Sequence, residues 1–476
     1  MSKNDMIVDK ICKLVIDAEK KFEEGTKYLD NFSTIADIEK MWSDLRLNTN
    51  IIYNELYNKL INEIDDKKII DAKKKELKKK GINLVSNRRA WRTILTINGP
   101  ISYARAVLVP KDEKSAKKLM DLYGLKSIAP IDDILGIAEL PFKMTIQTML
   151  LCAYWAQNQG SYQAAEERIF DAFGLKISDD TIRKVTNYIG NIIFEYDCKN
   201  ASNILDKIKD FNIEEKDKKD GILYIEVDGC AINTVEKDKD GSTWRENKMG
   251  MVFSSDNITY YKNKKGEIEH RIDKREYISY IGSVDQFKLH LLYIAFKNGY
   301  LQYKTTIILS DGASWIKKMA DELFPDAILI LDFYHLSENV YNYAKAKFDN
   351  NEDKYKPWAE NILSLLKNSD YDSALKILNP DEVYKDTVRL YHYIFENRDR
   401  IDYKKYEEKG YFIGSGAIES ANKLVAQKRL KLPGMRWRVK NAQNILAIRS
   451  KVESNLWHEL IVALISAYCN KWVNCR

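Results

Sequence analysis

The sequence predicts a multidomain α/β protein, and three observations lead to that prediction. The chain has 476 residues, more than one hydrophobic core normally organises, so several domains are expected. Two apolar stretches of strand character end in the same dipeptide, at Asp228-Gly229 and at Asp311-Gly312. Helical patterns precede, separate and follow these strands, which is the order expected of an α/β sheet.

The composition describes a globular protein. Hydrophobic residues make up 45% of the chain and charged residues 31%, and the 29 Tyr and 9 Trp argue against disorder. No apolar stretch approaches the roughly 20 residues that cross a bilayer, and the first 20 residues are too charged for a signal peptide, so a cytoplasmic protein is expected. None of the six cysteines has CxxC spacing, which argues against a zinc ribbon or a disulfide framework.

The first part of the chain is predicted to contain helices and then a β-hairpin. Apolar residues recur at helical spacing in residues 1–85, the N-terminal helical region. Its basic end fits either a solvated helix end or a surface that contacts phosphates. Residues 86–135 are predicted to contain a hairpin, with β-rich stretches at 93–97 and 101–109 joined by a turn at Asn98-Gly99-Pro100.

Residues 136–200 are predicted to form a helix-turn-helix region. One helix covers residues 162–173, Gly174 breaks it, and the second helix begins at Ser178 or Asp179, both favourable N-cap residues, and runs to residue 189. The spacing suits a DNA-reading helix, and equally a helical hairpin without a role in DNA binding. Its base-facing side chains would include Thr181, Arg183 and Lys184.

Two aspartates are candidate metal ligands because of their places on the predicted strands. The carboxyl ends of parallel strands form the ligand site of an open α/β sheet. Glu226 and Asp228 share one face of their strand, and we prefer Asp228 because it stands at the predicted strand end. Asp311 ends the second strand, so the two aspartates converge if their strands are neighbours. Carboxylates suit Mg²⁺, although a strand-end Asp before Gly is otherwise a turn residue.

The rest of the α/β unit surrounds a helical insertion. Residues 218–336 are predicted as the first part of the unit, residues 337–410 as the insertion, and residues 411–476 as its last helix and a basic C-terminal region. A glycine loop opens the helix that carries Glu419. The residues alone leave the third carboxylate open, because Glu419 equally fits an i,i+4 pair with Lys423 on an exposed helix face.

The segment 423–451 carries nine basic residues and no Asp or Glu. The net charge of the chain is only +6, so this local concentration is what indicates a surface that follows a DNA backbone. A solvated basic face is the alternative. The candidate DNA contacts in the segment are Lys423, Lys428, Arg429, Lys431, Arg436, Trp437, Arg438 and Lys440.

At these motifs the sequence resembles bacterial insertion-sequence transposases with an RNase H-like DDE core, of the Lre and Kra insertion-sequence types. The segments that carry the resemblance are 225–229, 244–250, 310–316, 331–335, 414–419 and 429–437. The resemblance implies an RNase H-like catalytic core with the helical insertion before its last catalytic helix. It also implies that Asp228, Asp311 and Glu419 bind two Mg²⁺ or Mn²⁺ ions, and it supplies the choice of Glu419.

The resemblance further implies a reaction and its partners. The expected reaction is hydrolysis at the transposon end, followed by attack of the freed 3′-hydroxyl on target DNA, by a homo-oligomer, a dimer, on double-stranded DNA. Asp332 and His335 belong to a motif near the site, where His335 contacts DNA, supports the metal carboxylates or simply packs. Two other functions stay open, namely an RNase H-like nuclease that does not join strands and a domesticated, non-catalytic DNA-binding protein.

Overall fold

A computed structural model describes residues 66–138 and 140–463, together with residues 16, 20, 49–50, 53–54 and 56–62. Most of the predicted N-terminal helical region therefore lies outside the described residues, as do residues 464–476. The chain divides into two compact units, Met1–Thr186 with His458–Arg476, and Asn187–Trp457. Among the described residues, no helix is both long and apolar enough to cross a membrane.

The first unit is built on a long antiparallel hairpin. Its elements are α1 (Asp66–Lys79), β1 (Leu84–Thr96), β2 (Gly99–Pro110), α2 (Glu113–Tyr123), α3 (Pro130–Ile134), α4 (Ile146–Asn158) and α5 (Tyr162–Phe173). The hairpin lies where the sequence predicts one, but its turn is shorter. Gly99 and Pro100 are paired with Thr96 and Leu95 in the ladder, which leaves only residues 97 and 98 in the turn.

The predicted pair of helices has the predicted bounds at three of its four ends. Helix α5 ends at Gly174, whose φ of 69° gives the left-handed cap that favours glycine. Helix α6 covers Asp179–Ser202, and the Ser178 hydroxyl caps it by accepting the Thr181 amide at 3.3 Å. The second helix therefore continues well past residue 189. A role of this pair in DNA binding stays a prediction.

The second unit contains a five-stranded mixed sheet. Its strands are β3 (Lys219–Asn233), β4 (Trp244–Ser254), β7 (Glu276–Ile281), β8 (Tyr303–Ser310) and β9 (Ile328–Leu331), and β5 (Ile258–Lys262) and β6 (Ile268–Ile272) form a separate hairpin. The order in the sheet is β7-β4-β3-β8-β9. The first three strands along the chain pair antiparallel, whereas β8 is parallel to β3 and β9 is parallel to β8.

Strand β3 stands in the middle of this sheet and is covered on both faces. Leu223, Ile225 and Val227 pack into a hydrophobic core cluster, which also contains side chains of the helix α8 (Val284–Lys297). On the opposite face, the Tyr224 ring stacks on Phe253 with a centroid distance of 5.1 Å. Burial on both faces explains why this strand reads as a continuous apolar run.

The strand β3 is longer than predicted, and this corrects the place of Asp228. Asp228 lies within the strand, because β4 continues to pair with β3 as far as Asn233. The parallel neighbour β8 ends earlier, with Ser310 opposite Val227. Asp228 is therefore the first residue of β3 beyond its parallel neighbour, and it still stands at the carboxyl edge of the parallel strands.

Helices fill the rest of the second unit. They are α7 (Ile204–Lys209), α9 (Ser314–Leu323), α10 (Phe333–Lys347), α11 (Glu352–Lys367), α12 (Tyr371–Ile377), α13 (Leu390–Glu396), α14 (Tyr403–Glu408), α15 (Gly416–Ala421), α16 (Lys428–Leu430) and α17 (Val439–Glu453). The predicted insertion, residues 337–410, contains only helices and their connections.

A π-helical turn, Asn422–Gln427, joins α15 to α16, and a buried arginine supports it. The wider turn shifts the helical hydrogen-bond pattern and frees carbonyl groups. Arg449 on α17 meets this need, since its guanidinium donates to the carbonyls of Val425, at 2.7 Å, and of Leu424. It also pairs with Glu453 at 3.1 Å. Arg449 thus stabilises the fold from within the core and is not one of the exposed basic residues.

Replacing Arg449 by Met should destabilise the protein by about 3 kcal/mol, because the carbonyls of Val425 and Leu424 and the Glu453 carboxylate lose their donor. Urea denaturation of the purified protein measures this change. Lys440→Met is the matched control, since Lys440 is an exposed basic residue at the start of the same helix and should change stability by less than about 0.5 kcal/mol. Equal stability of both variants would contradict the role given to Arg449.

Candidate active site

The register of two parallel strands brings Asp228 and Asp311 to one edge of the sheet. Val227 of β3 stands opposite Ser310 of β8, and each aspartate follows directly. Both line a cavity of about 250 Å³. Asp311 also keeps the turn role typical of its position, because its Oδ1 accepts the Ala313 amide at 2.9 Å. The convergence predicted from the strand ends is therefore present in the structure.

Asp228 is partly buried and held by an amide side chain. Its Oδ2 accepts a hydrogen bond from Asn422 Nδ2 at 2.6 Å. Burial raises the pKa of Asp228, and the nearby charge of Asp311 acts in the same direction. Sequence reasoning did not find Asn422, although it stands three residues after Glu419, where both face the same side of a helix.

Glu419 is half-buried on α15 and points into a cluster of titratable groups. One of its carboxylate oxygens, one of Asp332 and a ring nitrogen of His335 all lie within 4.8 Å of one another. This position does not fit the alternative in which Glu419 merely pairs with Lys423 on an exposed face. The proximity of Glu419 to Asp332 and His335 could not be predicted from the sequence, because residues 337–410 separate the two motifs that carry them.

Asp332 holds His335 in a fixed orientation. The distance from His335 Nδ1 to Asp332 Oδ2 is 2.7 Å, which leaves Nε2 as the free ring nitrogen. This hydrogen bond is the main reason why the pKa of His335 rises to about 9, and the charges of Asp332, Asp228 and Asp311 add to it. His335 therefore carries a positive charge at neutral pH. This charge attracts the carboxylates of Asp332, Asp228 and Asp311.

Both carboxylate oxygens of Asp332 accept hydrogen bonds from neighbouring residues. Burial alone would raise its pKa, but hydrogen bonds from His335, Ser415 and the Tyr334 amide outweigh burial and lower it. Its Oδ1 accepts two backbone amides, and its Oδ2 accepts the Ser415 hydroxyl and the His335 ring. Four hydrogen bonds use the lone pairs of both oxygens. Although ligand atoms of Asp332, His335 and Glu419 lie within 4.8 Å of one another, Asp332 is consequently a poor ligand for a metal.

The remaining donors suit a hard divalent cation. Asp228, Asp311 and Glu419 are partly exposed carboxylates, and oxygen ligands of this kind are what Mg²⁺ and Mn²⁺ prefer. Burial and like charge make a set of ionised carboxylates costly unless cations compensate them. The chemistry of these side chains thus fits the ions that the sequence implies.

A second buried carboxyl group lies behind the cluster. Glu226 is 1% exposed, and its Oε2 accepts the Ile418 amide at 2.9 Å. Burial raises the pKa of Glu226 to about 8. The choice of Asp228 over Glu226 as a ligand agrees with this placement, since Asp228 lines the cavity and Glu226 is engaged by the segment that carries Glu419.

The basic segment divides into exposed and buried residues. Arg429 and Trp437 are 1% and 8% exposed, and the guanidinium lies 4.9 Å from the centre of the indole ring. The prediction that Arg429 and Trp437 contact DNA at the surface is therefore wrong, because both side chains are buried. Lys451 is also buried and pairs with Asp197 at 2.8 Å. The basic residues that remain exposed are Lys423, Lys428, Lys431, Arg436, Arg438 and Lys440.

The candidate base-facing residues Arg183 and Lys184 stand near the start of α6, where Arg183 is partly exposed and Lys184 is exposed. Each pairs with Asp180 at 2.6 Å. Exposed pairs of this kind contribute about 0–1 kcal/mol, so they exchange readily for other anionic partners. Thr181 contributes its amide and its hydroxyl to the helix cap at Ser178.

Replacing Glu226 by Gln should stabilise the protein at pH 8.5 more than at pH 5.5. The folded protein holds a proton on Glu226 up to about pH 8, whereas the unfolded chain loses it near the ordinary value of 4.5. The free energy of unfolding of the wild type therefore falls as the pH rises through this window, and Gln removes that loss, by roughly 2 kcal/mol or more.

Urea denaturation of both proteins at the two pH values measures this effect. Glu360→Gln, at an exposed site on α11, is the control and should show no pH-dependent difference from the wild type. A stability difference between Glu226→Gln and wild type that is equal at pH 5.5 and pH 8.5 would contradict the raised pKa.

Comparisons with known proteins give a family and a distant structural similarity. A solved structure of the Drosophila P element transposase strand transfer complex is similar to this chain at 12% identity, with 66% of this chain and 79% of that chain covered and a TM-score of 0.21. The search of curated proteins gave no match. The family described as "Uncharacterised protein family (UPF0236)" matches residues 31–455, nearly the whole chain, and the protein therefore belongs to this family.

Proposed function

We propose that this protein is a DDE-type transposase that cuts DNA ends and joins them to target DNA. The observation that supports the proposal is the meeting of Asp228 and Asp311 at the ends of neighbouring parallel strands, together with the hydrogen bond to Asp228 from Asn422, which stands three residues after Glu419. An RNase H-like core is part of the proposal. Its support is the sheet order, in which three antiparallel strands are followed by two parallel strands beside the first.

The proposed roles of the residues follow from their contacts. Asp228, Asp311 and Glu419 hold two Mg²⁺ or Mn²⁺ ions, which supply charge stabilisation for the attacking and leaving oxygens of an in-line phosphodiester displacement. Asn422 orients the Asp228 carboxylate by its hydrogen bond. His335 presents Nε2 and a positive charge beside these carboxylates, where it can attract a phosphate oxygen. The reaction needs no cysteine or serine nucleophile.

Replacing Asp228 or Asp311 by Asn, or Glu419 by Gln, should lower cleavage and joining by at least about a thousandfold, because each change removes a charged ligand. The assay uses the full chain with Mg²⁺ or Mn²⁺, a labelled duplex taken from the DNA that flanks the gene, and a target plasmid. Circular dichroism and DNA binding should stay at wild-type levels. Asp321→Asn, at an exposed site on α9, is the matched control and should keep wild-type activity.

The joining step separates the proposed function from its alternatives. Joined products that depend on the three carboxylates are expected of a transposase. Cleavage without joining identifies an RNase H-like nuclease. DNA binding without cleavage under either ion identifies a domesticated DNA-binding protein. Wild-type joining by any of the three carboxylate variants overturns the assignment of the site.

The exposed part of the basic segment is proposed as the surface that holds the DNA backbone. Its six residues, defined above, lie in the stretch of chain from Glu419 to the first turn of α17. They carry no acidic neighbour in sequence, so their charge is available to phosphates. Arg183 and Lys184 on α6 are proposed as further contacts, and a dimer on DNA is proposed because a transposase must act on two ends.

Replacing Lys428 or Arg436 by Gln should weaken DNA binding and make it less dependent on salt. Each lost phosphate contact lowers the slope of log K against log salt by about 0.9 for duplex DNA. Fluorescence anisotropy between 50 and 200 mM salt measures the slope. Lys404→Gln, an exposed site on α14 outside this segment, is the control. An unchanged slope for Lys428→Gln and Arg436→Gln would remove this surface from the proposal.

A further inference from the structure

We propose that Glu226 and Asp332 are positioning residues, whose buried carboxyl groups clamp the segment Ile413–Glu419 and thereby fix Glu419 relative to Asp228. This inference rests on the proposed function, because it concerns the placement of a proposed ligand. Neither carboxyl group needs to touch a metal or DNA in this role. Both act on the backbone of the segment that carries Glu419.

The first anchor comes from the central strand. Glu226 stands two residues before Asp228 on the same face of β3, and its Oε2 accepts the amide of Ile418 at 2.9 Å. Ile418 is the residue directly before Glu419 and is fully buried. One strand thus carries the ligand Asp228 and also the acceptor that holds the neighbour of the ligand Glu419. The distance between Asp228 and Glu419 is therefore set by two residues of β3 and by the hydrogen bond from Ile418 to Glu226.

The second anchor comes from the end of β9. Asp332 accepts the Ser415 amide at 3.2 Å and also the Ser415 hydroxyl. Beside it, the Phe333 amide donates to the Ile413 carbonyl at 2.9 Å. Asp332 at the same time fixes His335, so one carboxylate orients two groups that face the site.

The packing of Gly414 shows how closely the segment lies against α10. A Cβ atom at Gly414 would lie 2.3 Å from a ring carbon of Tyr334, which is far too short for a real contact. A side chain at this position would therefore displace the exposed Tyr334 ring. The segment is held by contacts on both sides of Ser415.

The start of the helix that carries Glu419 depends on contacts from outside the helix. Helix α15 begins at Gly416 without a side-chain cap, and it continues without a break through the π-helical turn into α16. The first amides of a helix lack acceptors within the helix, and Glu226 supplies one for the Ile418 amide. Metal ligands need placement to within about 0.5 Å, and buried hydrogen bonds to the backbone supply such precision.

The test compares Glu226→Leu with Glu226→Gln in the full-length protein, with Mn²⁺ as the probe. Leu has a similar size but no acceptor for the Ile418 amide, whereas the Gln carbonyl keeps one. Isothermal titration calorimetry measures Mn²⁺ binding, and cleavage at saturating Mn²⁺ separates kcat from KM for DNA. Glu226→Leu should weaken Mn²⁺ binding by about tenfold or more and lower kcat with an unchanged KM for DNA, and Glu226→Gln should stay within about threefold of the wild type.

Controls separate this inference from the proposed function. Asp228→Asn must abolish Mn²⁺ binding, and if it does not, the proposed function fails. If Asp228→Asn abolishes binding while folded Glu226→Leu binds Mn²⁺ as the wild type does, the clamp is overturned and the proposed function remains. Should Glu226→Leu not fold, Ser415→Ala decides, because it removes one hydroxyl contact with Asp332. Weakened Mn²⁺ binding by Ser415→Ala supports the clamp, and wild-type binding overturns it.

Discussion

The parallel pairing of β3 with β8, which stops at Val227 and Ser310, is the constraint on which the rest of the second unit depends. On its other side β3 continues to pair with β4, so the backbone at Asp228 remains fixed although its parallel neighbour has ended. A carboxylate at such a point is held by a regular strand and yet faces an open edge. Asp311 reaches the same edge because it ends the shorter strand. Burial of β3 on both faces makes this register strongly specified, since a slip of one residue would exchange its two sets of side chains.

The carboxyl groups around this edge of the sheet depend on nearby positive charges. Burial raises the pKa of Asp228 and of Glu226, which means that the structure gathers carboxyl groups where their charge is costly. Positive charge opposes this cost from His335, which interacts with Asp228 and Asp311, and from the buried Arg400, whose charge attracts that of Asp311. A cluster in which burial and like charge are both maintained is typical of a functional site, and divalent cations would complete its compensation.

The sequence predicted those features that depend on local patterns. The bounds of α5, and Asp311 at its strand end, follow from apolar periodicity and from the residues that end an element. The full length of β3 did not follow, because only its pairing with β4 decides it. Glu419 could be chosen by resemblance but not from the spacing of residues, since its position depends on anchors that are distant in sequence. The burial of Arg429 and Trp437 could not be predicted either, because an acid-free run of residues does not show which side chains pack into the core.

The central claim is that Asp228, Asp311 and Glu419 form one divalent metal site. Anomalous diffraction from crystals of the full-length protein soaked in Mn²⁺ tests it most directly, because the signal locates each ion without reference to activity. The account predicts Mn²⁺ bound by the oxygens of Asp228 and Asp311, at roughly 2.0–2.3 Å, with Glu419 completing the protein ligands. Ions bound by Asp332 and His335 instead, with Asp228 and Asp311 left without metal, would contradict it.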